Sequence, residues 1–209
     1  LKYIPSKTLS SKFFSKSNIV IFRDLDDKVW ASFNSGYKTH VHKHADDGSF
    51  NLFYKGRDIF FDPGFLSYEE NEESKIIKSS SFHNTVKPVD EEIQIIRQDL
   101  SGHLEKMRYE NNISRSKVVG FYCTDKYEAS LAIISGYKSG EIKRLIIYDR
   151  NGYFLIYDYK SKDIIANQVL EQRFNIGCDL DLVINGSSEA LINDLNKNNL
   201  CEIRQFIRT

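Results

Sequence analysis

Cysteine, proline and net charge are all in short supply, and each shortage closes off a class of protein. The three cysteines, Cys123, Cys178 and Cys201, lie too far apart for the paired spacings of zinc fingers or thioredoxin-like sites, and are too few to frame a disulfide scaffold. Their expected place is the core, where free Cys packs as a small hydrophobe. Three prolines and eleven glycines form no Pro-rich or Gly/Ser-rich linker, and there is no internal repeat or low-complexity tract. Lys+Arg and Asp+Glu both number 29, so the basic footprint that neutralises phosphates is missing and no nucleic-acid partner is expected. An anionic partner needs a local basic groove, for which Lys43 and Arg57 are candidates. No apolar run approaches the roughly 20 residues that span a bilayer. The opening segment LKYIPSKTLSSKFF has no apolar signal core. It begins with Leu, which reads as a processed chain or a piece of a longer one.

What is present is β-type alternation. Short runs rich in Ile, Val, Phe and Tyr occur at Asn18–Phe22, Val29–Phe33, Phe50–Tyr54, Ile59–Phe61, Ile93–Gln98, Val118–Tyr122, Glu128–Ile134, Ile142–Asp149 and Tyr153–Tyr159. Apolar residues recurring every second position argue strands half-buried on one face. Turn chemistry separates them: Lys55-Gly56-Arg57, Asp62-Pro63-Gly64, Ser139-Gly140, and Asn151-Gly152 as a two-residue hairpin signal. Helical signals are few, the best at Ser188–Leu195, with a possible turn in Glu69–Ile77. The polar stretches Glu69–Ser81 and Arg108–Lys117 read as surface loops. At 209 residues the expectation is one all-β domain over residues 1–209, an antiparallel two-sheet β-sandwich with few short helices.

Chemistry concentrates where the histidines do. Four of the five fall within residues 40–83, and His40, His42 and His44 alternate in HVHKHADD. If that piece is extended, all three project from one face. Imidazole and carboxylate together suit zinc, and carboxylates are near at Asp46, Asp47 and Asp62, the last in FFDPG. His83 follows in SSSFHNTV. Taken singly, each has a plainer account: a solvated strand for the alternating histidines, a turn-initiating Asp before Pro for Asp62, a satisfied structural His for His83. Geometry sets a further condition. Were His44 on a straight continuation of the strand before Lys55-Gly56-Arg57, it would lie ~23 Å from the level of Asp62. A shared site therefore requires a reversal over Ala45–Gly48, for which Asp46-Asp47-Gly48 supplies turn residues.

The stretch HVHKHADDGSFNLFYKGRDIFFDPGFLSY, followed by SSSFHNTV, resembles the opening of the heparinase II/III-like C-terminal domain. The shared order is H-x-H-A-D, a small residue and an aromatic, a strand, Gly, an apolar strand ending Asp-Pro-Gly, a Tyr, then His-Asn-Thr-Val. Weaker likeness extends to SNIVIFRD upstream and RLIIYDRNGYFLIYD downstream. The resemblance implies a lyase that cleaves uronic-acid-containing polysaccharide by β-elimination, with an N-terminal α/α toroid joined to a C-terminal antiparallel β-sandwich. Carried over residue by residue, it makes His42 the histidine facing substrate, and His44, Asp62 and His83 the ligands of a zinc ion (Zn2+) completed by water. In that family the metal is mainly structural. The resemblance also implies an acidic polysaccharide and the toroid as partners, and a periplasmic or secreted location. The family's acid/base Tyr and its carboxylate-binding residue come from the toroid, for which this chain has no helical counterpart. His40 is extra to the pattern.

Two other readings compete. One is a carbohydrate-binding or domain-packing module that keeps the sandwich without catalysis, since fold does not dictate function. The other is a cupin-like metal enzyme, which expects a Glu shortly after the second His. Here Ala45, Asp46, Asp47, Gly48 and Ser49 follow His44.

Overall fold

The computed structural model describes residues 11–24, 26, 28–36, 43–69, 71–93, 116–161 and 169–205. Its elements are overwhelmingly strands, all paired antiparallel. The first sheet is a meander of β1 (Lys12–Phe14), β2 (Ile19–Arg23), β3 (Val29–Asn34), β4 (Ser49–Tyr54) and β5 (Arg57–Phe60). After α1 (Glu72–Lys78) and a 3-10 turn at Ser80–Phe82 comes β6 (Val86–Pro88). The second sheet is β7 (Lys117–Cys123), β8 (Tyr127–Tyr137), β9 (Gly140–Asp149) and β10 (Tyr153–Lys160), in the order β10-β9-β8-β7. β11 (Leu170–Gln172) pairs with β6. The chain ends in a third meander, β12 (Leu180–Asn185), β13 (Glu189–Asp194) and β14 (Asn199–Arg204).

The expected all-β antiparallel sandwich is the fold found, with two large sheets face to face and two small ones added. Alternation dictates the facing surfaces. On β3, Val29, Ala31 and Phe33 are buried while Trp30 points outward. On β9 the buried residues are Ile142, Arg144, Ile146 and Tyr148. Phe22 and Phe50 from the first sheet meet Tyr148, Phe121 and Phe154 from the second in one aromatic cluster. Each such ring contributes about 1.5–3 kcal/mol through apolar burial. A second, smaller core of Ala45, Val86, Ile93, Ile134, Tyr137 and Ile142 lies between the second sheet and the segments that carry the candidate site.

Several local expectations change. Ser188–Leu195 is not helical: residues 189–194 form β13, the central strand of its meander, with Ile192 fully buried in the main core. Pairing on both edges and that one deep side chain override the helix preference of Glu, Ala and Leu. The polar stretch from Glu69 contains a real helix, started by the Asn71 side chain accepting from the Ser74 amide at 2.8 Å. The Asn151-Gly152 hairpin has a three-residue loop, because Asp149 pairs directly with Tyr153 and Gly152 takes a left-handed φ of 99°. The cysteines are free, and the core expectation fails for the exposed Cys123 and Cys178, while the half-buried Cys201 packs against the main core. Residues 94–98 of the run at Ile93–Gln98 lie outside the described residues.

Candidate functional site

Fourteen residues separate β3 from β4, and this long connection carries the histidines. Its final part is an irregular approach, not a strand. His44 stands there, and the Ala45 amide after it donates to the Lys78 carbonyl at the end of α1, at 2.8 Å. The chain then reverses. The Ser49 amide bonds the Asp46 carbonyl at 3.0 Å, and Gly48 takes a φ of 79°. This supplies the turn that the Asp46-Asp47-Gly48 sequence promised. Lys43 is not a free basic group: its ammonium pairs with Asp46 at 2.5 Å and Asp47 at 3.2 Å, and only 10% of its side chain is exposed. Arg57 pairs with Asp179 at 2.5 Å.

The reversal brings the predicted residues together. Asp62 follows β5, and one of its oxygens accepts from the Gly64 amide at 2.9 Å, the Asx turn expected before Pro-Gly. The other oxygen meets His83 Nδ1 at 2.7 Å. His83 is 1% exposed, and its ring centroid lies 5.3 Å from that of His44. Asp62 is thus the turn-initiating Asp before Pro, and its second oxygen is bonded to His83. His40 and His42 lie outside the described residues.

Burial pushes the Asp62 carboxyl up, but the hydrogen bond and charge of His83 outweigh it, and the net value falls below that of an ordinary Asp. An ionised Asp62 can only accept, so it is His83 Nδ1 that carries the proton of their hydrogen bond, and in the neutral ring Nε2 would then hold the lone pair. Among the described residues that buried Nε2 has no hydrogen-bond partner. His44 is held below the ordinary imidazole value, first by burial and then by the neighbouring His83.

Among the described residues, no group of three His, Cys, Asp or Glu side chains stands arranged to hold a metal ion, and Asp62 and His83 bond one another directly. The donor chemistry nonetheless fits zinc: two imidazoles and a carboxylate adjoin, and one buried ring nitrogen is unspent.

Sequence reasoning missed what grips these segments. Asn84, fully buried, donates from Nδ2 to the Phe61 carbonyl beside Asp62 at 3.1 Å and to Asn51 Oδ1 at 2.9 Å, and its Oδ1 accepts from the Asn175 amide at 2.6 Å. Arg144, also fully buried, forks onto Asp158 with two bonds of 2.8 Å. Both residues stand within stretches singled out above, HNTV and RLIIYD. No local pattern distinguishes a buried Arg from a solvent-facing one on a strand.

Solved structures share the architecture. Heparan sulfate lyase HepC from Pedobacter heparinus is 16% identical, with a TM-score of 0.70, over 92% of this chain and 28% of its own. A heparinase III with methylated lysines is 19% identical, with a TM-score of 0.69, over 87% of this chain and 26% of its own. This chain thus spans only about a quarter of each. No curated protein matches it, and among the described residues no helix is long and apolar enough to cross a membrane. Residues 6–194 match the family model described as heparinase II/III-like, C-terminal, and the chain belongs to that family.

Proposed function

We propose that this chain is the C-terminal domain of a polysaccharide lyase that cleaves uronate-containing polysaccharide by β-elimination, and that it contributes His42 and a zinc site built from His44, Asp62 and His83. One observation carries the reading: a fully buried imidazole, bonded through Nδ1 to a carboxylate and adjoining a second imidazole, has an Nε2 with no hydrogen-bond partner among the described residues. An unpartnered buried nitrogen costs on the order of 1–3 kcal/mol, which a metal bond removes. Bound there, zinc ties the β3–β4 connection to the start of β6 and needs no part in the reaction.

Elimination requires that the uronate carboxylate be neutralised, that a base take the C5 proton and that an acid protonate the leaving oxygen. His42, two residues before His44, acts as the base or as the hydrogen-bonding partner of the carboxylate. Fixing His44 fixes the backbone that aims His42, as an outer contact orients a ligand. The Tyr acid/base comes from an N-terminal α/α toroid, and action on such polymers points to the periplasm or the cell exterior. The test is His42→Ala in the full-length protein carrying this domain, assayed by the ultraviolet absorbance of the unsaturated uronate product. Loss of turnover with zinc content retained is expected. Retained turnover overturns the role of His42, zinc loss shows that His42 rather than His44 is the ligand, and no turnover by the parent on any uronate polymer favours a binding module.

A further inference from the structure

Every inward residue of β9 except one is apolar or aromatic; the exception is Arg144. A buried ion pair is a poor stability device, because apolar residues of similar volume usually do as well or better. Its use must lie in what the guanidinium reaches. Beyond its fork onto Asp158, Nη1 donates to the Gly48 carbonyl at 2.8 Å and to the Asn84 carbonyl at 3.0 Å. Gly48 ends the reversal that follows His44, and Asn84 directly follows His83. The same Asn84 grips the Phe61 carbonyl beside Asp62. Two segments far apart in sequence are thus anchored directly on one planar group, and a third through Asn84, while the group itself is locked by a carboxylate with 5% side-chain exposure. Lysine cannot reproduce this, since it lacks the rigid fork.

We propose that Arg144, oriented by Asp158, is the positioning residue of the His44, Asp62 and His83 site, acting through the Gly48 and Asn84 carbonyls. The proposal rests on the zinc reading for its ligand but not for its geometry, so two readouts on the full chain separate them. Competition with a chromogenic chelator measures zinc affinity. Imidazole 1H–15N spectra of the metal-free chain follow the His83 Nδ1–H bonded to Asp62. The variants are Arg144→Lys, the double change Arg144→Met with Asp158→Leu, and Arg150→Met. The last breaks a different pair, with the buried Glu128 near the β9–β10 turn, and serves as the control for simple destabilisation.

The double variant should keep a cooperative melt, because no buried charge is left alone, yet bind zinc roughly 10–100-fold more weakly and lose the protected Nδ1–H signal. Arg144→Lys should also bind more weakly, while Arg150→Met lowers the melting temperature and leaves both readouts unchanged. Parent-like affinity and an intact Nδ1–H signal in the double variant overturn the proposal, as does an equal loss in Arg150→Met. If the parent itself binds no zinc, the zinc reading alone fails and the Nδ1–H signal decides the role of Arg144.

Discussion

A histidine with 1% exposure and only one nitrogen satisfied among the described residues is unusual, because buried polar atoms are nearly always paired. His83→Ala leaves Asp62 without its donor and opens a cavity, so the metal-free chain should lose about 2–4 kcal/mol in urea melts, and zinc content should fall with it. Unchanged metal content would refute the ligand assignment. Away from the site, Glu92 sets a pH dependence. Burial raises its carboxyl, but hydrogen bonds from Lys87, Ser80 and Ser81 outweigh that and hold it below the ordinary 4.5. A folded value below the unfolded one stabilises the protein above the unfolded value and stops doing so as pH falls through the folded one. Glu92→Gln should therefore flatten the loss of stability below pH 4.5. It should also lower the melting temperature at neutral pH, since among the described residues buried Lys87 then keeps Glu171, at 3.8 Å, as its one acidic partner, beside Ser81 Oγ at 3.4 Å. Thermal melts across pH check both.

Among elements, the turn between His44 and β4 matters most. A Cβ on Gly48 would stand 2.2 Å from Cδ1 of the fully buried Ile134, and the φ of 79° suits only glycine. Gly48→Ala should cost about 1–3 kcal/mol from backbone strain alone, with more from the clash, and should lower zinc affinity because the reversal carries His44. A variant as stable as the parent would mean that the turn relaxes freely. This element was legible in advance: Asp46-Asp47-Gly48 are turn residues, and only a reversal lets His44 meet Asp62. The eight aromatic and β-branched strands within 18–61 and 118–159 were equally plain, because short runs rich in Ile, Val, Phe and Tyr are separated there by turn residues. β13 was not, since Glu, Ala and Leu favour helix and its strand character comes from neighbours on both sides. Nor was Asn84 or Arg144 visible as an anchor. Their partners lie 14 to 96 residues away, so only the packed sheets define the contacts.

On the scale of the molecule, two sheets form a sandwich in which Arg144, the one fully buried arginine among the described residues, faces the site-bearing loops. A histidine–aspartate cluster lies beside the smaller second core of Ala45, Val86 and Ile134. On the proposed reading, in which an N-terminal toroid supplies the Tyr acid/base, the isolated chain should be inactive on uronate polymers while still folding and binding metal. Product formation by the isolated chain would contradict that division of labour. If His44, Asp62 and His83 bind zinc as proposed, the metal raises the stability of the folded chain by mass action. The most direct test is elemental analysis of the purified chain with and without chelator, followed by thermal melting of both samples. The account predicts near-stoichiometric zinc and a melting temperature that drops when the chelator strips it. A chain purified without chelator that carries no metal, and melts at the same temperature after zinc is added back, would contradict it.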